Sequence, residues 1–174
     1  MMLAVWLLLQ APSATTAPKP EWLKGRVERV GTVQTPQLDL VSDDGKRYEV
    51  AGELVTELSS LAGGVKLEVQ VEREHEGSML PRVRALAYHI EDIGGGDKPE
   101  IGFVKVDGEK INIVVDKDKT LALADTQVAR RLLGKDGAKV WVVGKSTSNG
   151  FKAWRVGFLL QPKNPTPAAP IKEE

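Results

Sequence analysis

Apolar and polar residues alternate along most of the chain between residues 21 and 161, and this period of two is typical of half-buried β-strands. The clearest case is Val65–Val71, in which every second residue is valine or leucine. At Glu53–Leu61 the apolar spacing changes to that of a short helix, with one apolar face made of Leu54, Val55, Leu58 and Leu61. Gly63 and Gly64 are predicted to end this helix.

The same order of predicted elements occurs twice. The pattern predicts β-β-β-α-β-β in each half, and a constant offset of 73 residues brings Ile111 onto Leu38 and Gly137 onto Gly64. In the second half, Asp125 or Thr126 is predicted to cap the helix. The predicted apolar stripe of that helix is Val128, Leu132 and Leu133, and both helices are expected to run for two to three turns. The predicted strands are 24–33, 38–41, 48–51, 65–71 and 82–90, then 101–106, 111–114, 121–124, 138–143 and 151–160.

This element order, with an early glycine in each half at Gly25 and Gly102, resembles the OB-fold, a five-stranded Greek-key barrel. The resemblance covers about 70 residues in each half. It implies a mainly β protein made of two tandem five-stranded OB-like barrels, each with a short helix between its third and fourth strands. An SH3-like barrel, another small barrel or one continuous sandwich would give a similar pattern.

Breaks in the pattern predict the domain boundaries. Gly94–Pro99 predicts a linker between an acidic OB-like domain at 21–93 and a basic one at 100–161. Residues 162–174 are rich in proline and alanine without periodicity, which predicts a disordered or polyproline-like tail. Residues 1–20 are predicted to be a signal peptide and a spacer.

The apolar run Leu3–Leu9 is followed by the small-residue segment Gln10–Ala14, which favours a secretory signal peptide. Seven residues are too few to cross a bilayer, which takes about 20. No lysine or arginine precedes the run, and a short buried or disordered segment is the alternative. The protein is therefore expected to be bacterial, periplasmic or secreted, with no transmembrane span in the mature chain.

The charge of the chain is divided between its halves. The formal net charge is zero, but residues 21–97 sum to −6 and residues 98–161 to +5. These opposite charges could dock partners or second copies of the chain. A dedicated nucleic-acid binder is usually basic overall, so nucleic acid is an unlikely partner by this criterion and by the export signal.

Groups able to carry catalysis are few. The chain has no cysteine, which excludes disulfides and thiolate metal sites. His75 and His89 are isolated from one another, and we expect a solvated turn and a surface position for them. Asp43–Gly45 and Asp116–Asp118 lack the spacing of a calcium loop and are predicted to be turns. We therefore predict no enzyme activity, no metal site and no cofactor.

One group of residues is a candidate ligand-binding surface. Aromatic and basic side chains on an OB barrel can stack on and clamp single strands or sugars. Trp154 shares its parity with Val156, Phe158 and Leu160 and is predicted to lie in the core, whereas the pattern leaves Trp141 either inside or outside. The candidate ligand-binding residues are Trp141, Lys139, Lys145, Lys152 and Arg155.

Three functions are compatible with the sequence, of which the first is the predicted one and the other two are alternatives. The first is an exported, non-catalytic binding module that recognises a protein, peptide or glycan through a barrel face. The second is a structural or adaptor subunit of a cell-envelope assembly. The third is an oligonucleotide-binding OB protein.

Overall fold

The computed structural model describes residues 19–32, 36–74 and 80–162. The element order predicted from the sequence is confirmed in both halves. The first half contains β1 (Glu21–Gly31), β2 (Pro36–Ser42), β3 (Arg47–Ala51), α1 (Val55–Ser60), β4 (Lys66–Arg73) and β5 (Arg82–Asp92). The second half contains β6 (Glu100–Asp107), β7 (Lys110–Val114), β8 (Thr120–Ala122), α2 (Gln127–Arg130), β9 (Lys139–Thr147) and β10 (Gly150–Leu160).

The first half is a closed barrel with the strand order β1-β2-β3-β5-β4. A parallel ladder between β3 and β5, from Glu49–Arg82 to Ala51–Arg84, closes the ring. The inward positions of the strands, among them Val27, Leu40 and Val69, are fully buried, as the alternation predicted. This is an OB-like fold, because the helix lies between the third and fourth strands of a five-stranded barrel.

The second half has the equivalent strand order, β10-β9-β6-β7-β8, but its sheet is not closed into a barrel. One isolated parallel bridge, Leu123 to Phe151, stands where the first half has its closing ladder. The Ala124 amide also donates to the Phe151 carbonyl at 3.0 Å. The expectation of a closed barrel is thus confirmed for the first half, and the second half is an open sheet of matching order.

The early glycine of each half lies where two strands come very close. A Cβ atom on Gly25 would lie 2.1 Å from the carbonyl oxygen of Val41, and one on Gly102 would lie 2.5 Å from that of Val114. No side chain fits at either position, because both distances are far below van der Waals contact. The shared glycine therefore marks the same crossing of the first and second strands in both halves.

Both helices are shorter than predicted. α1 has six residues and α2 has four, so neither reaches two full turns. Two of the predicted core residues are buried, Leu58 in α1 and Leu61 directly after it. In α2 the Thr126 hydroxyl caps the helix by accepting from the Ala129 amide at 3.1 Å, which confirms one of the two predicted caps. Leu133 was expected on the apolar stripe and is exposed, because the helix ends three residues before it.

The predicted signal peptide, His75 and nearly all of the C-terminal tail lie outside the described residues. Within the described residues, no helix combines the length and hydropathy needed to cross a bilayer. The Asp43–Gly45 segment is a turn, as predicted, with Gly45 at a φ of 82°.

Candidate functional site

Trp141 lies on the outer face of the β6–β9–β10 sheet, where the second half packs against the first. Val143 and Leu159 on this face belong to the hydrophobic core of the first half, and Trp141 and Ile101 pack against that core. The indole lies across Gly157, where a Cβ atom would be only 2.4 Å from Trp141 Cε2. The Trp141 ring is therefore part of the contact between the halves.

Arg155 lies at the same contact. Its Nη1 and Nη2 atoms donate to the carbonyl oxygens of Gly94 and Ile93, each at 2.9 Å. Its guanidinium carbon is 5.8 Å from the centre of the Trp141 ring, and Nη1 is 3.5 Å from Asp97. Arg155 thus ties residues 93–97 to the second half, and most of its hydrogen-bonding capacity is used there.

Lys139 makes an ion pair between the halves. Its Nζ atom is 2.6 Å from Oε2 of Glu57 on α1, and the Tyr88 hydroxyl donates to the same oxygen at 2.6 Å. Glu57 is only 7% exposed. Burial raises the pKa of the Tyr88 hydroxyl, and the hydrogen bond to the Glu57 carboxylate raises this pKa further.

Trp154 is exposed at 47%, so its predicted place in the core was wrong. The pairing of β10 with β9 shifts between Ala153 and Arg155, which leaves Trp154 at a bulge. One extra residue reverses the facing of the side chains that follow it. The alternation of inward and outward side chains that holds for Val156 and Phe158 therefore does not extend back to Trp154.

Lys145 and Lys152 are exposed and lie directly opposite each other on β9 and β10. Like charges at this spacing repel. In the described part of the chain no carboxylate lies within ion-pair distance of either lysine, and no acidic residue occurs from residue 137 to residue 161. The β9–β10 hairpin is thus positively charged and contains no acidic residue that could neutralise its lysines.

A second surface, which the sequence reasoning did not single out, lies on the outer side of β6, β7 and β8. We call it the second-half face. Strand register places six of its outward residues in two rows across the three strands, and Asp107 and Lys110 form a further exposed pair beyond them. The rows are Phe103–Val114–Thr120 and Lys105–Asn112–Ala122.

Phe103 dominates the second-half face. It is 51% exposed, although aromatic side chains of this size are usually buried. The neighbouring Lys105 is exposed and forms no ion pair with the described residues. Lys139 Nζ is 5.9 Å from the centre of the Phe103 ring. The face therefore combines a flat apolar platform with cationic and amide groups.

The β9–β10 hairpin lies beside this face. A Cβ atom on Gly150 would be 2.7 Å from the carbonyl oxygen of Ala122, which belongs to the second row. The turn of the hairpin thus abuts the β8 edge of the second-half face, and Lys145 and Lys152 extend the positive charge from that edge. In OB-folds this strand face and this hairpin loop are the elements that contact oligonucleotides and oligosaccharides.

The equivalent surface on β1, β2 and β3, the first-half face, is occupied by ion pairs. Strand register gives the rows Arg26–Val41–Arg47 and Glu28–Asp39–Glu49. Arg47 Nη2 is 3.0 Å from Glu28 and Nη1 is 3.6 Å from the buried Asp39. The Arg26 guanidinium, with help from Arg47, holds the pKa of Glu28 below its usual range. The arginines of this face are neutralised by their own neighbours.

Two other surface features lie outside these faces. On the outer side of β1, β4 and β5, Trp22 stacks on His89 with ring centroids 4.9 Å apart, and His89 is exposed as predicted. A cleft of about 800 Å³ lies between the β6–β7 turn and α2, with Lys110, Ile111 and Arg130 in its lining. Among the described residues, no three His, Cys, Asp or Glu side chains are grouped as a metal site would require.

The alternation of the sequence contains a signal for the second-half face. Gly102, Val104 and Ile113 are the inward residues of β6 and β7, so the same alternation places Phe103 outward. The predicted set instead combined two surfaces. Lys145 and Lys152 border the second-half face, whereas Trp141, Lys139 and Arg155 lie at the contact between the halves.

Comparison with known proteins gave no family. No protein-family model and no curated protein match the chain. Among solved structures, the chain is similar to the wild-type single-stranded DNA-binding protein from Thermus aquaticus, at 16% identity over 86% of this chain and 96% of that one, with a TM-score of 0.28. A deletion variant of that protein matches at 16% identity over 88% and 97% of the two chains, with a TM-score of 0.27.

Proposed function

We propose that this protein is a non-catalytic binding protein whose second-half face, together with the β9–β10 hairpin, holds a single-stranded oligonucleotide. The observation that supports this most directly is Phe103, which is half exposed on β6 beside Lys105, a lysine with no ion pair among the described residues. The proposal rests on this arrangement and on general properties of OB-like surfaces.

The chemistry of the face suits a flexible polyanion. Every base has an apolar π-face, so an exposed phenyl ring can stack on a base of any sequence. Lys105 lies two residues from Phe103 on β6, Lys145 and Lys152 lie on the hairpin beside the β8 edge, and each can bind a phosphate. The Asn112 amide can donate to or accept from a base edge. Three strands about 4.8 Å apart and the hairpin beside them give room for a few nucleotides, within the range known for one OB fold.

We also propose that the two halves are copies of one OB-like unit and that only the second retains this ligand face. Export of the chain, predicted from Leu3–Leu9, stays a prediction and does not enter the proposal. A neutral glycan or a peptide on the same face is the competing reading, and salt dependence separates these ligands, because only a polyanion releases bound counterions when lysines replace them.

The test is fluorescence anisotropy of labelled oligothymidylate of about 20 nucleotides, titrated with the protein at about 50 and 200 mM salt. Phe103→Ala is expected to weaken binding by about tenfold or more, since stacking of one base contributes about 1–3 kcal/mol. Lys105→Gln is expected to weaken binding and to flatten the salt dependence by about 0.7 in the logarithmic slope.

Trp22→Ala is the matched control, because Trp22 is an exposed aromatic residue on the other half, at 41%. It is expected to bind as the unmodified protein does. Equal losses in Phe103→Ala and Trp22→Ala, or no loss in Phe103→Ala, would show that the second-half face is not the binding site. Binding of a neutral oligosaccharide without salt dependence would replace the proposal with a glycan function.

A further inference from the structure

We propose that the Glu57 carboxylate competes with a phosphate of the ligand for the ammonium group of Lys139. This inference rests on the proposed function of the second-half face. The Lys139 ammonium group pairs either with Glu57 across the contact between the halves or with an anion on the second-half face. Ligand binding and the docking of the halves are therefore coupled through this one side chain.

Lys139 is positioned to serve both partners. It lies directly opposite Phe103 in the pairing of β9 with β6, so it extends the first row of the second-half face by one strand. Its Nζ atom is 5.9 Å from the centre of the Phe103 ring and 2.6 Å from Oε2 of Glu57. A rotation of the lysine side chain, without any change in the backbone, therefore moves the charge from one partner towards the other.

Glu57 can release Lys139 because it has a second partner. The Tyr88 hydroxyl donates to the same carboxylate at 2.6 Å and belongs to the first half, as Glu57 does. A buried carboxylate with no partner is costly, but one that keeps a hydrogen bond from a phenol keeps part of its compensation. The Lys139 side chain is 21% exposed against 9% for Glu57, so the lysine is the partner that can reach solvent.

The exchange of Lys139 between Glu57 and a ligand anion has measurable consequences for both equilibria. While Lys139 pairs with Glu57, it contributes little charge to the face, and the face binds a polyanion with one cation fewer than its sequence suggests. When an anion takes Lys139, the contact between the halves loses its ion pair. Coupling between two binding equilibria is reciprocal, so the ligand should loosen the contact by as much as the contact weakens the ligand.

The experiment is oligothymidylate anisotropy with Glu57→Gln, which keeps the side-chain shape and still accepts from Tyr88. We expect binding to tighten by about twofold to fivefold, the effect of one added solvent-accessible lysine–phosphate contact, and the logarithmic salt slope to steepen by about 0.7. Lys139→Gln alone is expected to change affinity by less than about twofold, because the lysine is already neutralised. Adding Lys139→Gln to Glu57→Gln should cancel the gain.

Glu49→Gln is the matched control for net charge, since it removes one carboxylate from the first-half face, and it should not tighten binding. Equal tightening in both variants, or none in Glu57→Gln while Phe103→Ala still weakens binding, overturns this inference and leaves the proposed function standing. No binding by the unmodified protein overturns both.

A measurement on the unmodified protein covers the case in which Glu57→Gln does not fold. Amide hydrogen exchange of α1 and the residues around it should become faster when saturating oligothymidylate is added, because the contact loses its ion pair. Exchange that is slower or unchanged in this segment contradicts the competition.

Discussion

The first-half face and the second-half face occupy equivalent places on two sheets of equivalent strand order, yet they carry opposite chemistry. In the second row, the three carboxylates of the first half, Glu28, Asp39 and Glu49, stand where the second half has Lys105, Asn112 and Ala122. In the first row, two arginines flanking Val41 stand where the second half has Phe103 and Thr120 flanking Val114.

The difference shows that a backbone scaffold fixes where a surface lies but not whether it can take a ligand. On the first-half face each arginine already has a carboxylate within ion-pair distance, so an incoming anion must compete with a fixed neighbour. On the second-half face, no carboxylate of the described residues lies within ion-pair distance of Lys105. The outward side chains of each face, rather than the barrel, therefore decide what the face can bind.

The largest expected effect concerns the contact that holds the halves together. Gly157→Ala places a methyl group within 2.5 Å of the Trp141 ring, which must then move out of the contact. We expect the free energy of unfolding to fall by about 1–3 kcal/mol, measured by urea denaturation. Lys152→Ala on the same strand is the control, because Lys152 is exposed, and a comparable loss there would mean that crowding at Trp141 is not the cause.

The next largest effect is expected when the second-half face is given the charges of the first-half face. Lys105→Glu combined with Asn112→Asp gives the second-half face two carboxylates in the row where the first half has its own. Oligothymidylate affinity is expected to fall by more than about tenfold, since a phosphate contact is replaced by repulsion. Far-ultraviolet circular dichroism should be unchanged because both positions face outward. Retention of affinity would show that the two rows do not decide between the faces.

A smaller effect separates stability from binding on the hairpin. Lys145→Glu places a carboxylate opposite Lys152, so repulsion becomes attraction and the protein is expected to be more stable by about 0.2–1 kcal/mol. The same substitution should weaken oligothymidylate binding. Lys145→Gln removes the repulsion without adding attraction and should fall between the two proteins in both measurements. A loss of stability in Lys145→Glu would contradict the assignment of this pair as repulsive.

The smallest effect is a pH dependence in the turn of the first half. Hydrogen bonds from Lys46 and Ser42 lower the pKa of the Asp44 carboxyl to about 2. A lowered pKa in the folded state means that the contribution to stability is present above the unfolded value near 4 and is lost as the pH falls towards 2. Asp44→Asn should therefore lower Tm slightly at pH 6 and not at pH 2. An equal change at both values would exclude ionisation as the cause.

Much of the fold could be predicted from the sequence because strand alternation and glycine breaks are local signals. The twelve elements lie close to their predicted positions, and Thr126 caps α2 as its residue type suggests. The candidate site was harder for two physical reasons. A bulge at Trp154 reversed the side-chain parity, and the packing of Trp141 over Gly157 depends on the docking of the halves, which no local pattern records.

The seam of the second half is joined by the single bridge between Leu123 and Phe151, whereas three residue pairs close the first. Each missing pair is a place where the sheet can open without unfolding the remainder, so the two halves need not share one cooperative transition. This weakly paired seam runs between β8 and the β9–β10 hairpin, along one border of the second-half face. A ligand that contacts both β8 and the β9–β10 hairpin would hold this seam closed and make the second half more rigid.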